Sequence, residues 1–189
     1  MTKTEARKLA KACRAAVDLH TVGHAMAGVL FALPAWQHAD TVLAFASMPD
    51  EPDTADILRQ ALAESKRLLL PRVLSRTEMD WVEITALSQL QPGAYGILEA
   101  PASLPAFDTA HLGDGVLALI PCLAAGRDGV RLGRGGGYYD RFLSAFRGVT
   151  VGICYTACTQ WRLPHGRYDR QIQLLITEKY IRRTYTRGA

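Results

Sequence analysis

The chain is poor in the features that mark secreted or membrane-bound proteins. Of its 189 residues only four are cysteine: Cys13, Cys122, Cys154 and Cys158. The last two form a C-x3-C spacing with no second pair and no histidine at finger spacing. A structural zinc site is therefore excluded, and reduced, mostly buried thiols are expected. The opening residues, MTKTEARKLAKACRAA, mix charges and lack the apolar centre of a signal peptide. A spanning helix needs about 20 apolar residues. The most apolar stretch, AMAGVLFALPAW over 25–36, is shorter and is interrupted by Pro34. A cytoplasmic protein without a membrane partner is expected. Charge of one sign is also scarce. The 22 basic and 18 acidic residues leave a net +4, too little to imply nucleic acid, and an anionic small molecule is equally consistent. The basic first helix and the RRTYTR tail at 182–187 carry no stacking-aromatic or groove-helix pattern, so no nucleic-acid partner is expected. Internal repeats and low-complexity segments are absent.

What is present reads as an ordinary globular chain. Hydrophobic residues make up 49% and charged residues 21%, enough for a sizeable core in one domain over 1–189. Helical periodicity covers 4–17, with Ala6, Leu9, Ala10, Cys13 and Val17 on one stripe and basic residues elsewhere. A second helix is predicted over 24–33. Strands are predicted over 41–46, 68–73, 79–84, 149–155 and 174–177. VLALI at 116–120 is a continuous apolar run, as in a strand buried on both faces. Residues 54–64 read as a helix with Thr54 as N-cap. The Pro-, Gly- and Ala-rich segment 92–109 reads as irregular. Strands alternating with helices predict an α/β protein: three layers, α/β/α, around a mainly parallel, Rossmann-like open sheet.

The stretch GRGGGYYDR at 133–141 is the most informative. Consecutive glycines are entropically costly to order, so the backbone there must approach something closely. The loop follows the VLALI strand, where open α/β sheets bind ligands. Adjacent glycines can turn their N–H groups to one point and cradle an anion, and a helix starting at Tyr138 adds its positive end. Arg131, Arg134 and Arg141 add charge. Asp140 adds a carboxylate, which suits a phosphate site when Mg²⁺ is shared between carboxylate and phosphates. GxxxxGK[ST] is absent, and GxGxxG fails because Tyr138 stands where its last glycine would. A glycine turn over buried tyrosines remains the alternative.

GVRLGRGGGYYDRFL, residues 129–143, resembles the signature of the 5-formyltetrahydrofolate cyclo-ligase family. The similarity extends over most of the chain. Lys3, Arg7 and Arg14 match the family's K-x3-R and following basic position. SMPDEPDTADIL at 47–58 resembles its acidic segment before a helix, and LLLPRV its proline-containing strand. GILEAP resembles its G-I-L-E-P element with one residue inserted. Gln160, Pro164, Asp169 and ITE at 176–178 follow in order. Three positions depart: Ala125 and Gly126 replace Phe-Asp, and Gln173 replaces a late acidic residue.

The resemblance implies conversion of 5-formyltetrahydrofolate and ATP to 5,10-methenyltetrahydrofolate, ADP and phosphate, with Mg²⁺ required. It implies that Lys3, Arg7 and the run Gly133, Arg134, Gly135, Gly136, Gly137, Tyr138, Tyr139 and Asp140 bind ATP. Arg134 and Tyr139 are the catalytic candidates, and Asp140 and Asp169 the Mg²⁺ ligands. Met48, Glu51, Tyr138 and Tyr139 are expected to line the folate site, with Glu51 accepting from the pterin edge. Trp81 and Trp161 are candidates to flank the pocket, although core packing suits either. A monomer is expected. The departures leave a second expectation open, a relative that binds folate or nucleotide without turnover.

Overall fold

The computed structural model describes residues 1–15, 19–93, 96–160 and 162–184. Trp161, Val17 and the last residues of the basic tail lie outside them. The helices are α1 (Lys3–Arg14), α2 (Leu19–Phe31), α3 (Pro34–Gln37), α4 (Ala55–Ala63) and α5 (Tyr138–Ala145). The strands are β1 (Thr41–Leu43), β2 (Arg67–Val73), β3 (Met79–Ile84), β4 (Gln91–Pro92), β5 (Leu98–Glu99), β6 (Ala106–Phe107) and β7 (Val116–Pro121). They continue with β8 (Ala124–Gly126), β9 (Arg131–Leu132), β10 (Val149–Ile153), β11 (Thr159–Gln160), β12 (Leu174–Ile176) and β13 (Ile181–Arg183).

Eight strands form one sheet in the order β13-β12-β10-β7-β1-β2-β3-β6. The pairs from β12 through β2 are parallel, while β13, β3 and β6 join antiparallel at the edges. The central strands are mostly apolar, and the first five residues of β7 are all buried, as its continuous run predicts. Strand order reverses between β1 and β7. The chain leaves β1 through α4 toward β2, and leaves β7 through α5 toward β10. Right-handed crossovers in opposite directions put those two helices on opposite faces, which gives the expected three layers. A crevice opens where the two directions part, at the carboxyl ends of β1 and β7.

Local chemistry explains where elements begin and end. The first helix starts at Lys3, one residue before its predicted start, because Thr2 and Glu5 form a capping box: Glu5 N donates to Thr2 Oγ1 (3.2 Å) and Thr2 N to Glu5 Oε2 (2.7 Å). Thr54 stands at the predicted N-cap of α4 but does not cap it. Its hydroxyl donates to Phe45 O (2.7 Å), and Asp53 Oδ1 accepts from Ala55 N (2.9 Å) instead. Ser47 N also donates to Thr54 Oγ1 (3.1 Å), so Thr54 shapes the loop after β1. β1 ends at Leu43 rather than at 46, with Ala44 N making one more bond to Leu69 O of β2 (2.9 Å). Segment 92–109 is less irregular than its composition suggests, since β5 pairs with β4 and β6 pairs with β3. A small sheet, β11-β8-β9, lies against α1 and has no counterpart in the sequence reading.

Candidate active site at the sheet crevice

A cavity of about 1020 Å³ occupies the crevice. Its walls come from α1, the loop after β1, the glycine loop, the N-terminus of α5 and the 168–170 segment. Lys3, Arg7, Met48, Glu51, Gly133, Arg134, Gly135, Gly136, Gly137, Tyr138, Tyr139, Asp140 and Asp169 all line it. The structure thus brings every residue of the predicted site to one space.

The glycine loop connects β9 to α5. Gly135 (φ +110°) and Gly137 (φ +70°) occupy the left-handed half of backbone space, and Gly137 is the N-cap of α5. Side chains resist those conformations, so the turn depends on glycine there. Gly136 has no positive φ; its constraint is contact, since a Cβ would lie 2.5 Å from the Tyr138 ring. The Arg7 side chain braces the loop, with Nε donating to Gly133 O (3.0 Å). Lys3 is paired with Asp169, at 2.7 Å to Oδ1 and 2.6 Å to Oδ2. Lys3 and Arg7 lie four residues apart and reach the cavity from the same face of α1.

Three charged groups, Arg134, Glu51 and Asp50, meet beside the glycine loop. Arg134 donates to Glu51 Oε1 through Nε (3.2 Å) and Nη2 (3.1 Å), and Nη2 also donates to Asp50 Oδ1. Glu51, 8% exposed, accepts from Met48 N on Oε2 (3.1 Å). A carboxylate offers about four acceptor positions. Three are filled here, and Glu51 can take a further donor.

Asp140 is less free than a bare metal ligand. Its Oδ1 accepts from Arg131 Nη2 (3.1 Å) and from Arg170 N (3.1 Å). The second bond joins Asp140 to the residue following Asp169, so the two aspartates sit on touching segments. Both of these bonds fall on the one oxygen. No group of three or more His, Cys, Asp or Glu side chains suited to a metal occurs among the described residues. Two hard carboxylates beside a phosphate cradle still match Mg²⁺, which takes one or two carboxylates and completes its shell with phosphate and water. The Asp169 carboxyl lies below its ordinary value of 3.8: burial pushes upward, and hydrogen bonds from Lys3 and Gly166 N with the Lys3 charge outweigh it.

The tyrosines divide their tasks. Tyr138 donates to Ser75 O (2.8 Å) and lies under the Arg141 guanidinium, 5.5 Å from its ring centroid. Tyr139 meets Trp81 edge-on at 6.3 Å and Arg131 at 5.6 Å. Burial drives its hydroxyl well above the ordinary 10.0, so it is a neutral donor and not a base. Trp81 is a core residue, 3% exposed and packed at a tilt against Phe142 with ring centroids 4.9 Å apart, and it does not line the cavity. Sequence reasoning missed the contributions of Arg76, Met79, Tyr168 and Arg170. Adjacency to Asp169 was the one signal available for the last two.

Comparisons with known proteins identify the family and the fold. The model of the 5-formyltetrahydrofolate cyclo-ligase family matches residues 2–178. A mouse protein named 5-formyltetrahydrofolate cyclo-ligase is 30% identical over 161 residues, 76% of this chain and 75% of its own. The NMR structure of Aquifex aeolicus 5,10-methenyltetrahydrofolate synthetase superposes with a TM-score of 0.83 at 29% identity, covering 100% of this chain and 95% of that one. A Mycoplasma pneumoniae 5,10-methenyltetrahydrofolate synthetase shares the fold, with a TM-score of 0.75 at 22% identity over 94% of this chain and 99% of its own. The family match over residues 2–178, with the 30% identity to the mouse enzyme, shows that the chain belongs to the 5-formyltetrahydrofolate cyclo-ligase family.

Proposed function

We propose that this chain uses ATP to cyclise 5-formyltetrahydrofolate to 5,10-methenyltetrahydrofolate, releasing ADP and phosphate. The observation that supports this most directly is the cavity itself. The glycine loop and the buried carboxylate of Glu51, joined through Arg134, border one space of about 1020 Å³, room for two substrates.

The formyl group is an amide, and its oxygen leaves poorly. The formyl oxygen attacks the γ-phosphorus of ATP, and the bond to ADP breaks. The product is an iminium phosphate on the folate. The neighbouring folate amine then attacks the activated carbon and gives up its proton to solvent, and the carbon–oxygen bond breaks to release phosphate. The protein has no covalent step of its own. Its task is alignment and charge stabilisation.

Gly133 to Tyr139 present backbone N–H groups and the positive end of α5 to the phosphates. Lys3, Arg7 and Arg134 supply cations, and Arg134 offers a rigid guanidinium. Asp140 and Asp169 would hold Mg²⁺, which when bound neutralises phosphate charge. Glu51 accepts from the N–H donors of the pterin edge. Met48 forms an apolar wall, and the rings of Tyr138 and Tyr139 flank the ligand. The neutral Tyr139 hydroxyl donates a hydrogen bond.

The three departures from the family pattern lie outside the cavity. Ala125 and Gly126 belong to β8, paired with β11. Gln173 Oε1 accepts from Thr150 N (2.9 Å) and holds β10 to the strand beside it. The test is absorbance of methenyltetrahydrofolate with and without ATP and Mg²⁺. Product is expected only when both are present. An undiminished rate after EDTA would refute the metal assignment, and no product under any condition would refute the reaction.

A further inference from the structure

Two residues outside the cavity stand directly behind its proposed phosphate cation. Arg14, at the end of α1, is buried, with its side chain 2% exposed. Burying a cation costs several kcal/mol unless its bonding compensates. Its Nη1 donates to Asp50 O (2.8 Å) and lies 3.5 Å from Asp50 Oδ2, and its Nη2 donates to Cys122 O (2.5 Å). Its guanidinium also lies 5.5 Å from the Tyr155 ring centroid. Asp50 is in the loop after β1, and Cys122 follows β7. Arg14 therefore bolts together the two loops that part at the crevice.

Asp50 in turn grips Arg134. Its Oδ1 takes Arg134 Nη2, its Oδ2 faces Arg14, and its neighbour Glu51 takes Arg134 Nε. The four side chains form an alternating set of two cations and two anions. Its charges sum to zero. Arg134 Nη1 alone among that guanidinium's nitrogens makes no hydrogen bond within the described residues. The Asp50 carboxyl lies below its ordinary 3.8: burial pushes upward, and the hydrogen bond and charge of Arg134, then the charge of Arg14, outweigh it.

We propose that Arg14 and Asp50 are positioning residues, a relay from α1 through the β1 loop that fixes the guanidinium of Arg134 with its Nη1 edge toward the phosphates. The inference rests on the reading of Arg134 as the cation at the transferred phosphate. Neither residue touches a ligand in this account. Losing the relay leaves the charge of Arg134 in place and loosens its orientation. Turnover then suffers more than ATP affinity, because Asp50→Asn also removes a negative charge close to the phosphates.

The test has two readouts. The first is the Nε–H cross-peak of Arg134 in a nitrogen–proton NMR spectrum, assigned by its loss in Arg134→Lys. It is expected sharp in the wild type and exchange-broadened in Asp50→Asn and Arg14→Met, with thermal midpoints showing both variants folded. The second is a double-mutant cycle in kcat. Asp50→Asn is expected to lower kcat about tenfold with KM for ATP within about twofold, and to lower it no further in the Arg134→Lys background, because residues acting through one group are not additive. An unchanged cross-peak in folded Asp50→Asn overturns the relay. So do effects that simply multiply in the cycle. A wild type without turnover refutes the proposed reaction, and the cross-peak then decides the relay alone.

Discussion

At the scale of single residues, two carboxylates can be separated by experiment. Asp140→Asn keeps shape and removes the charge that would hold Mg²⁺. It is expected to weaken use of ATP, with partial rescue by added Mg²⁺, because mass action offsets lost metal affinity. Glu51→Gln presents a donor to Arg134 and to the pterin edge. It is expected to raise KM for the folate by an amount on the order of 2–3 kcal/mol, with no Mg²⁺ rescue. The pair of KM values at low and high Mg²⁺ checks both, and identical patterns would mean that the two sites are one. Both residues stood out in the sequence because the motifs that hold them resemble those of the family. The partners of these residues were not. Nothing in the spacing shows that Arg134 reaches back 83 residues to Glu51, or that Arg131 already occupies Asp140 Oδ1. Such pairings are tertiary facts, fixed by strand order rather than by local pattern.

At the scale of elements, helix α1 is the clearest case. Its periodicity was readable, and so was its basic face. Its docking was not, because it packs on a small sheet whose two- and three-residue strands carry no periodic signal. Ala6 and Ala10, each 3% exposed, let the helix come close enough for Lys3 and Arg7 to enter the cavity. The Lys3–Asp169 pair at its start should make that docking sensitive to acid. Asp169 has a folded pKa below its ordinary 3.8. A depressed carboxylate contributes stability above its unfolded pKa and loses it as pH falls through the folded value. The contribution should therefore be intact at neutral pH and vanish only below the ordinary carboxylate range. Unfolding free energies of wild type and Asp169→Asn, measured across pH, are expected to differ by a constant at neutral pH and converge in acid. A gap that widens in acid would show that the pair opposes docking.

At the scale of the whole molecule, the order of the central sheet was predictable in kind, since alternating strands and helices leave few topologies. That order makes the crevice, and chain segments from both sides of the reversal fill it. A ligand bound there holds both halves of the sheet's carboxyl edge together and is absent from the unfolded chain. Binding must then stabilise the whole fold, by about 2.7 kcal/mol at a ligand concentration 100 times Kd. For a chain of this size each kcal/mol raises Tm by roughly 2–4 °C, so near-saturating ATP is expected to raise it by about 5–10 °C. Gly136→Val tests whether the glycine loop is the cause. A Cβ at that position meets the Tyr138 ring at 2.5 Å, so the ring or the loop must move. The loop lies at the cavity rim with Gly135 and Gly136 exposed, and the core strands beneath are untouched. The ligand-free Tm is therefore expected to stay within a few degrees of wild type, about 1 kcal/mol of stability. The shift on adding ATP is expected to disappear, because the backbone N–H groups proposed to hold the phosphates would move with the loop. A folded variant with the full wild-type shift would place the phosphates elsewhere in the cavity. A variant with a much lower Tm and a preserved shift would make the loop a structural turn, with the basic side chains alone holding the nucleotide.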